Sequence, residues 1–399
     1  MRRILSILLL TLTATASIWY CLFTEGNGFS FIYQQKNWVI TELGIPSKER
    51  YSDSHPVSRN PWDMAVFNGL LYIGSGDYDK NTGPVPIWCY DPKLNLWENS
   101  GNVNDEAVAR FIEFDGQLIA PGIDPKDNHD FGNYYVLNDN NEWQTVRTVP
   151  NGVHMFDIVK HNGETFYAIG NSNGTQSPVQ KTTDGTTFEA INMYSDGRLL
   201  TGDSSLGFSR CYGLFSMGDR LFAMCNWPNL KAAGFFEYDG TRFNQVSNLK
   251  DLKVNDISIS RQIMYNEKAV FNGIGYISFG SFYKTADFKT MERIPTPNDS
   301  VVQDIVLKDG KMYVLTATKS NDTDDAENTL YTNSVYEYSE NADFYEVLSF
   351  QYKAPAMIFC KDGSTVYVGI GKNDSTVKKD NPIGTIISFT EENYIIVHN

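Results

Sequence analysis

The sequence predicts an all-β chain, a closed seven-bladed β-propeller of four-stranded antiparallel blades, and three observations carry that prediction. One unit recurs along the chain: an apolar run, a tight turn containing glycine, and a second apolar run. Its period is near fifty residues, with room for two further strands per unit, which is the signature of a propeller. No segment sustains the 3.6-residue period of a helix.

The repeat is anchored on the glycine of the first turn. VFNGLLYIG at Gly69 is followed by EFDGQLIAPG at Gly116, KHNGETFYAIG at Gly163 and SMGDRLFAMC at Gly218. VFNGIGYISFG (Gly273), LKDGKMYVLT (Gly310) and CKDGSTVYVGIG (Gly363) complete the series, at steps of 47, 47, 55, 55, 37 and 53 residues. Asn-Gly and Asp-Gly between apolar runs are the strongest hairpin signals, because a type I′ turn needs φ > 0 at both central residues. Each unit buries its faces only against its neighbours, so the ring is expected to close. The 37-residue step makes the fifth blade the leanest.

In chain order, residues 1–28 form a separate segment. Arg2 and Arg3 precede a run from Ile4 to Phe23 without a charge, long enough to span a bilayer. The run also holds Ala14-Thr15-Ala16, a small-x-small cleavage pattern, so an uncleaved signal anchor and a cleaved signal peptide both stand. With the arginines ahead of the run and Glu25 behind it, either reading puts the chain outside the cytosol, membrane contact being confined to this segment. Residues 29–399 are read as the propeller. Trp38 to Leu43 is expected to complete the last blade beside Tyr394 to Val397, and Ser47 to Asn60 is a polar loop.

Asn60 to Gly101 sets the blade pattern: Met64 to Phe67, Leu70 to Ile73, Pro86 to Tyr90 and a last strand around Leu96-Trp97. The second blade carries Glu106 to Glu113, a long acidic loop from Asp124 to Gly132, and a closing Trp143. The third opens on Val153 to Asp157. QKTTDGTTFEAI and YKTADFKTMERI are relatives in the third and fifth blades, while FFEYDGTRFNQV and SVYEYSENADFYEV close the fourth and sixth. Their shared aromatic after the turn is expected on the outer strand, packed against the next blade.

Tyr90 to Trp97 (YDPKLNLW) resembles the kelch repeat, although the kelch glycine pair is replaced by Gly74-Ser75-Gly76 and Gly369-Ile370-Gly371. Thr183 to Phe188 is similar to the Asp-box of sialidase-like and sortilin-like propellers, one residue short between Asp and Gly. Both resemblances imply a propeller fold and no activity.

The net charge of −15 argues against nucleic acid, which calls for clustered Lys and Arg. Five cysteines are too few for a disulfide scaffold or zinc ribbon. Cys211 and Cys225 flank one hairpin. Either they are opposed and able to form a cross-strand disulfide, or a one-residue register slip puts them on opposite faces as buried thiols. N-x-S/T sequons occur at Asn173, Asn298, Asn321 and Asn373.

The loops between second and third strands are long and rich in Asp, Asn and Gly, and they share a face with the starts of the innermost strands. Asp77, Asp79 and Asn81 have the one-three-five spacing of a calcium loop, but with Thr82 in place of its glycine and no bidentate carboxylate a solvated Asx-turn loop explains them better. No other cofactor is indicated. The starts of the inner strands should bring Trp62, Asp63, Arg110, His154, Asp157, Arg210 and Asp304 to one opening, as a ligand-binding set or as a self-satisfied polar channel. No catalytic residue is assigned: G-x-S-x-G, H-E-x-x-H, the P-loop and the sialidase arginine signature are all missing from the sequence. The expectation is a monomeric, extracytoplasmic, non-catalytic binding module for a glycan or protein. A carbohydrate-active enzyme with its site at the channel mouth, or a structural surface protein, are the alternatives.

Overall fold

The computed structural model describes residues 18–23, 29–77, 80, 82–171, 176–202, 204–227, 232–249, 252, 268–320, 329–339, 341, 343–371, 379 and 381–398. They are all-β, with only short 3₁₀ turns besides strands. The strands pair in successive antiparallel meanders. The first holds β3 (Asp63–Phe67), β4 (Leu70–Gly74), β5 (Val85–Asp91) and β6 (Leu96–Val103). The second holds β7 (Asp105–Val108) and β8 (Ile112–Phe114) as a broken inner strand, then β9 (Gln117–Pro125), β10 (Phe131–Leu137) and β11 (Trp143–Pro150). β12 (His154–His161), β13 (Glu164–Gly170), β14 (Val179–Thr182) and β15 (Glu189–Ala190) make the third. After a hairpin of β16 (Met193–Ser195) and β17 (Arg198–Leu199), the fourth holds β18 (Arg210–Met217), β19 (Arg220–Trp227), β20 (Ala232–Tyr238) and β21 (Phe243–Asn248).

The fifth is the leanest, with β22 (Lys268–Phe271), β23 (Ile274–Ser278), β24 (Phe282–Thr285) and β25 (Glu292–Ile294). The sixth holds β26 (Val301–Lys308), β27 (Lys311–Lys319), β28 (Tyr331–Tyr338) and β29 (Phe344–Tyr352). The last joins both chain ends. β30 (Ala356–Asp362), β31 (Thr365–Ile370) and β32 (Ile386–His398) are extended by β2 (Phe29–Gly44), with β1 (Ile18–Phe23) outside it.

The first turn of every meander is a two-residue hairpin. Asn68-Gly69, Asp115-Gly116, Asn162-Gly163, Asn272-Gly273 and Asp309-Gly310 all have positive φ at both residues, as type I′ turns require. Gly218 and Gly363 supply the single positive φ in the other two. Apolar clusters lie between consecutive sheets. Tyr72, Val85 and Leu118 join the first meander to the second, and Met312, Val314 and Tyr276 join the fifth to the sixth. Ile358, Cys360 and Tyr367 of the last meander share a cluster with Met64, Leu71 and Tyr90 of the first.

Three expectations are corrected. Trp38 to Glu42 pairs with Glu391 to Ile387, whereas Tyr394 to Val397 pairs with Gln35 to Ile32. The register follows β31, whose Val366 and Val368 face Phe389 and Ile387 across the ladder and bury them in one core. Asp124 lies inside β9, so the acidic loop is confined to residues 126–130. The outer aromatic packs against the preceding meander, not the next: Phe288 of the fifth stacks on Phe235 at 4.3 Å and contacts Phe215 and Phe222 of the fourth. Trp97 of the first donates from Nε1 to Leu43 O of β2 at 2.7 Å. Sheet coiling carries each outer strand over the inner strands of the meander before it. Ile18–Phe23 pairs with β2 as strand β1, and the rest of the Ile4 to Phe23 run, on which the signal or anchor expectation rests, lies outside the described residues. No helix among the described residues is long and apolar enough to cross a membrane.

The Asp-box-like stretch is a side-chain-capped turn. Asp184 Oδ1 accepts the N–H groups of Thr186 and Thr187, and Asp287 does the same for Lys289 and Thr290. The kelch-like stretch is likewise local, Tyr90 donating its hydroxyl to Asn95 Oδ1 at 2.8 Å.

Candidate functional site

The inner strands of all the meanders line one cavity of about 690 Å³. Asp63, Arg110, Asp157 and Asp304 line it, as do Leu214, Lys268 and Cys360. The three aspartates share one bonding pattern. One carboxylate oxygen accepts the N–H of the following residue: Met64 at 2.7 Å, Ile158 at 3.1 Å and Ile305 at 2.8 Å. The other accepts an N–H from the inner strand of the next meander: Phe111 at 2.6 Å, Leu214 at 2.9 Å and Phe359 at 2.9 Å. A β-bulge just before Asp157 and Asp304 sets up the reach, since it re-aims a side chain that would otherwise follow the pleat. Each aspartate therefore latches two meanders together.

The cavity charges are unevenly shared. Asp157 takes both cations, Arg110 at 3.1 Å and Lys268 at 2.5 Å. Burial pushes Asp157 up, but Arg110, Lys268 and the Leu214 N–H together hold it below the usual carboxylate range. Burial pushes the Lys268 ammonium down, against the pull of Asp157. Among the described residues, no cation forms an ion pair with Asp63 or Asp304. Burial raises Asp63 to about 7, with its two backbone N–H bonds and the more distant Arg110 opposing. Burial and then the charge of Asp63 raise Asp304 well above the ordinary value.

His154 and Arg210 do not line this cavity. They sit on the long-loop face at the seam of the third and fourth meanders, in a row of backbone partners running Ile123, His154, Gly170, Arg210 and Asn226. Asn171 and Ser209 clamp the seam: Asn171 Nδ2 donates to Ser209 Oγ at 2.7 Å, and the Ser209 backbone N–H donates to Asn171 Oδ1 at 3.0 Å. Gly170 makes room there, because a Cβ would meet His154 Cδ2 at 2.8 Å. The imidazole stacks on Phe156 at 5.5 Å. Its Nε2 lies 3.3 Å from Arg210 Nη2 and 3.6 Å from Asp124 Oδ1. Burial lowers His154 to about 4, with Arg210 adding to the shift and Asp124 opposing it, so the ring is neutral at physiological pH. Arg210 lies over the Phe208 ring at 5.0 Å, and Phe208 is 40% exposed. Among the described residues, no carboxylate forms an ion pair with Arg210.

The remaining candidates fall elsewhere. Trp62 is buried in the core, donating from Nε1 to Gly76 O at 2.7 Å, and is not part of the opening. Asp77 is buried, and burial raises its carboxyl; Asp79 and Asn81 lie outside the described residues. Among the described residues, no group of three or more His, Cys, Asp or Glu side chains is placed to hold a metal. Of the sequons, Asn298 is exposed in a turn, while Asn173, Asn321 and Asn373 lie outside the described residues.

Three participants were missed in the sequence. Lys268 sits one position out of step with the other inner-ring residues, and Phe208 belongs to no repeat. Asp105 forms a separate buried group, accepting from Asn133 at 2.9 Å and from the Tyr135 hydroxyl. Burial raises Asp105 to about 6 against those bonds.

No family model matches the chain, and no curated protein matches it. Solved structures to which it is similar include virginiamycin B lyase from Staphylococcus aureus, at 13% identity, a TM-score of 0.49, and 89% and 99% of the two chains covered. The β-propeller domain of the Trilobed protease from Pyrococcus furiosus overlaps at 9% identity and TM-score 0.40, covering 83% and 98%. BamB from Moraxella catarrhalis overlaps at 10% identity and TM-score 0.37, covering 82% and 81%. Likenesses this loose carry no argument, and the fold rests on the strand pairing.

Proposed function

We propose that the chain is a closed seven-bladed propeller serving as a monomeric, non-catalytic binding module, with its ligand on the long-loop face at Arg210, His154 and Phe208. Closure is supported by the core shared between the first and last meanders and by β2 completing the last sheet. The observation that carries the binding reading is the contrast between two clusters of charge. Arg110 and Lys268 are both paired with Asp157, whereas Arg210 lies beside an exposed aromatic ring with no ion pair to a carboxylate among the described residues. An arginine over an exposed ring suits a ligand with an apolar face and an anionic or acceptor group, such as an acidic glycan or an acidic segment of a protein. The test is a screen of glycans and extracellular proteins with wild-type chain and Arg210→Ala. Loss of the hits in the variant supports the site; unchanged hits remove it.

A second reading has one observation in its favour. Asp63 and Asp304 are carboxyls of raised pKa in one cavity, as a general acid requires. Both oxygens of each already take backbone N–H bonds, which favours the structural role. Glycoside hydrolysis that is lost in Asp63→Asn would restore the enzyme reading.

The proposal keeps the propeller outside the cytosol, delivered or tethered by the N-terminal segment. Protease added to intact cells should reach it; protection until lysis would contradict this.

A further inference from the structure

We propose that Cys211 and Cys225 form a cross-strand disulfide between β18 and β19. The two residues are direct partners in the antiparallel ladder, between the pair Arg210 and Asn226 and the bulge at Tyr212. Opposed residues in such a ladder project to one face, with Cβ atoms roughly 4.5–5.5 Å apart. A disulfide needs Cα atoms about 4.4–6.8 Å apart and Cβ atoms about 3.5–4.5 Å apart, so closure requires a shift of about an ångström or less. The slipped register, which would have placed the sulfurs on opposite faces, is not the one adopted.

The surroundings select this pair. Both side chains are wholly buried, and both belong to the large apolar cluster that runs from the second meander to the fifth. The Cys225 thiol is pushed up by burial and then by its hydrogen bond with Cys211. Cys89 and Cys360 sit in separate clusters, neither shared with this pair. The Cys211 thiol also donates to Gly213 O at 3.6 Å, and Cys89, Cys211, Cys225 and Cys360 are all free thiols in the structure.

The bond forms by exchange with a disulfide donor such as oxidised glutathione or a thiol oxidoreductase. One thiolate of the pair attacks a donor sulfur and expels the donor's other half as a thiolate. The second thiolate of the pair then displaces the sulfur held in the mixed disulfide. Two S–H bonds and the donor's S–S bond are lost and one new S–S bond is made; the two protons pass to the donor's thiolates, so the donor leaves as two thiols. Because both sulfurs are buried in the finished sheet, exchange belongs to folding, before β18 and β19 pack. Once closed, the bond pins the start of β18, where Arg210 immediately precedes Cys211.

The test uses the full chain, refolded in buffers of oxidised and reduced glutathione, then denatured and alkylated before and after reduction. Peptide mapping should recover a Cys211–Cys225 linked pair from the oxidised sample and two alkylated thiols from the reduced one. The melting temperature should fall on reduction in the wild type and not in Cys211→Ala/Cys225→Ala. Complete alkylation of both residues before reduction, in oxidised chain that has regained its strand content, would overturn the proposal. Should the double variant fail to fold, the wild-type peptide map still decides.

Discussion

Asp63, Asp157 and Asp304 occupy the same step of the repeat, yet their surroundings give them different chemistry. Asp157 is held ionised by two cations, so Asp157→Asn leaves Arg110 and Lys268 buried without a counter-charge and removes a latch. Breaking such a pair costs about 3–5 kcal/mol, readable in chemical denaturation. Asp63 behaves oppositely. Its folded pKa of about 7 lies above the ordinary value of 3.8, so the folded chain binds the proton more tightly. Its contribution to stability is complete below the unfolded pKa and is lost as pH rises through the folded one. The wild type should weaken between those two values, and Asp63→Asn should remove about 1.4 kcal/mol per pH unit of that slope. Denaturation midpoints across pH check this; an unchanged slope in the variant would contradict it. His154, lowered to about 4, should show no imidazole titration near neutral pH in NMR.

At the level of elements, the hairpin turns were legible because the chemistry is local. Asn-Gly and Asp-Gly specify positive φ, and all seven turns fall where the glycines stand. Counting five residues back from the first turn residue finds Asp63, Arg110, Asp157 and Asp304, so the inner ring was legible too. Arg210 and His154 were expected beside the channel residues but lie at the seam of the third and fourth meanders, because their position depends on the row of backbone partners through Gly170. Trp62 was misplaced for a similar reason: whether an aromatic at a strand start faces the axis or the core is a packing outcome. The parallel pairing of β16 with β21 left no trace in the periodicity, since it joins distant residues by two backbone contacts. Lys268 escaped notice because a long side chain reaches Asp157 from another meander, 111 positions away. Trp97 tests the joint between first and last meanders. Trp97→Phe loses the bond to Leu43 O and should cost about 1 kcal/mol of global stability. A loss confined to local fraying of β6 would mean that the joint does not couple the two.

For the molecule as a whole, stability and recognition are assigned to different places. Near the channel, three aspartates reach across meanders and latch the first to the second, the third to the fourth and the sixth to the last. The net charge of −15 keeps polyanions away in bulk, so an anionic group must be taken up locally, at a cation not already neutralised. Arg210 meets that condition and Arg110 does not. Since Arg210 forms no ion pair with a described carboxylate, Arg210→Ala should leave the melting temperature nearly unchanged. The most direct test is therefore a side-by-side array of acidic and neutral glycans and extracellular proteins, probed with labelled wild type, Arg210→Ala and Asp63→Asn. The account predicts that ligands captured by the wild type are lost with Arg210→Ala and kept with Asp63→Asn. Ligands kept by Arg210→Ala and lost with Asp63→Asn would contradict it and move the site into the channel.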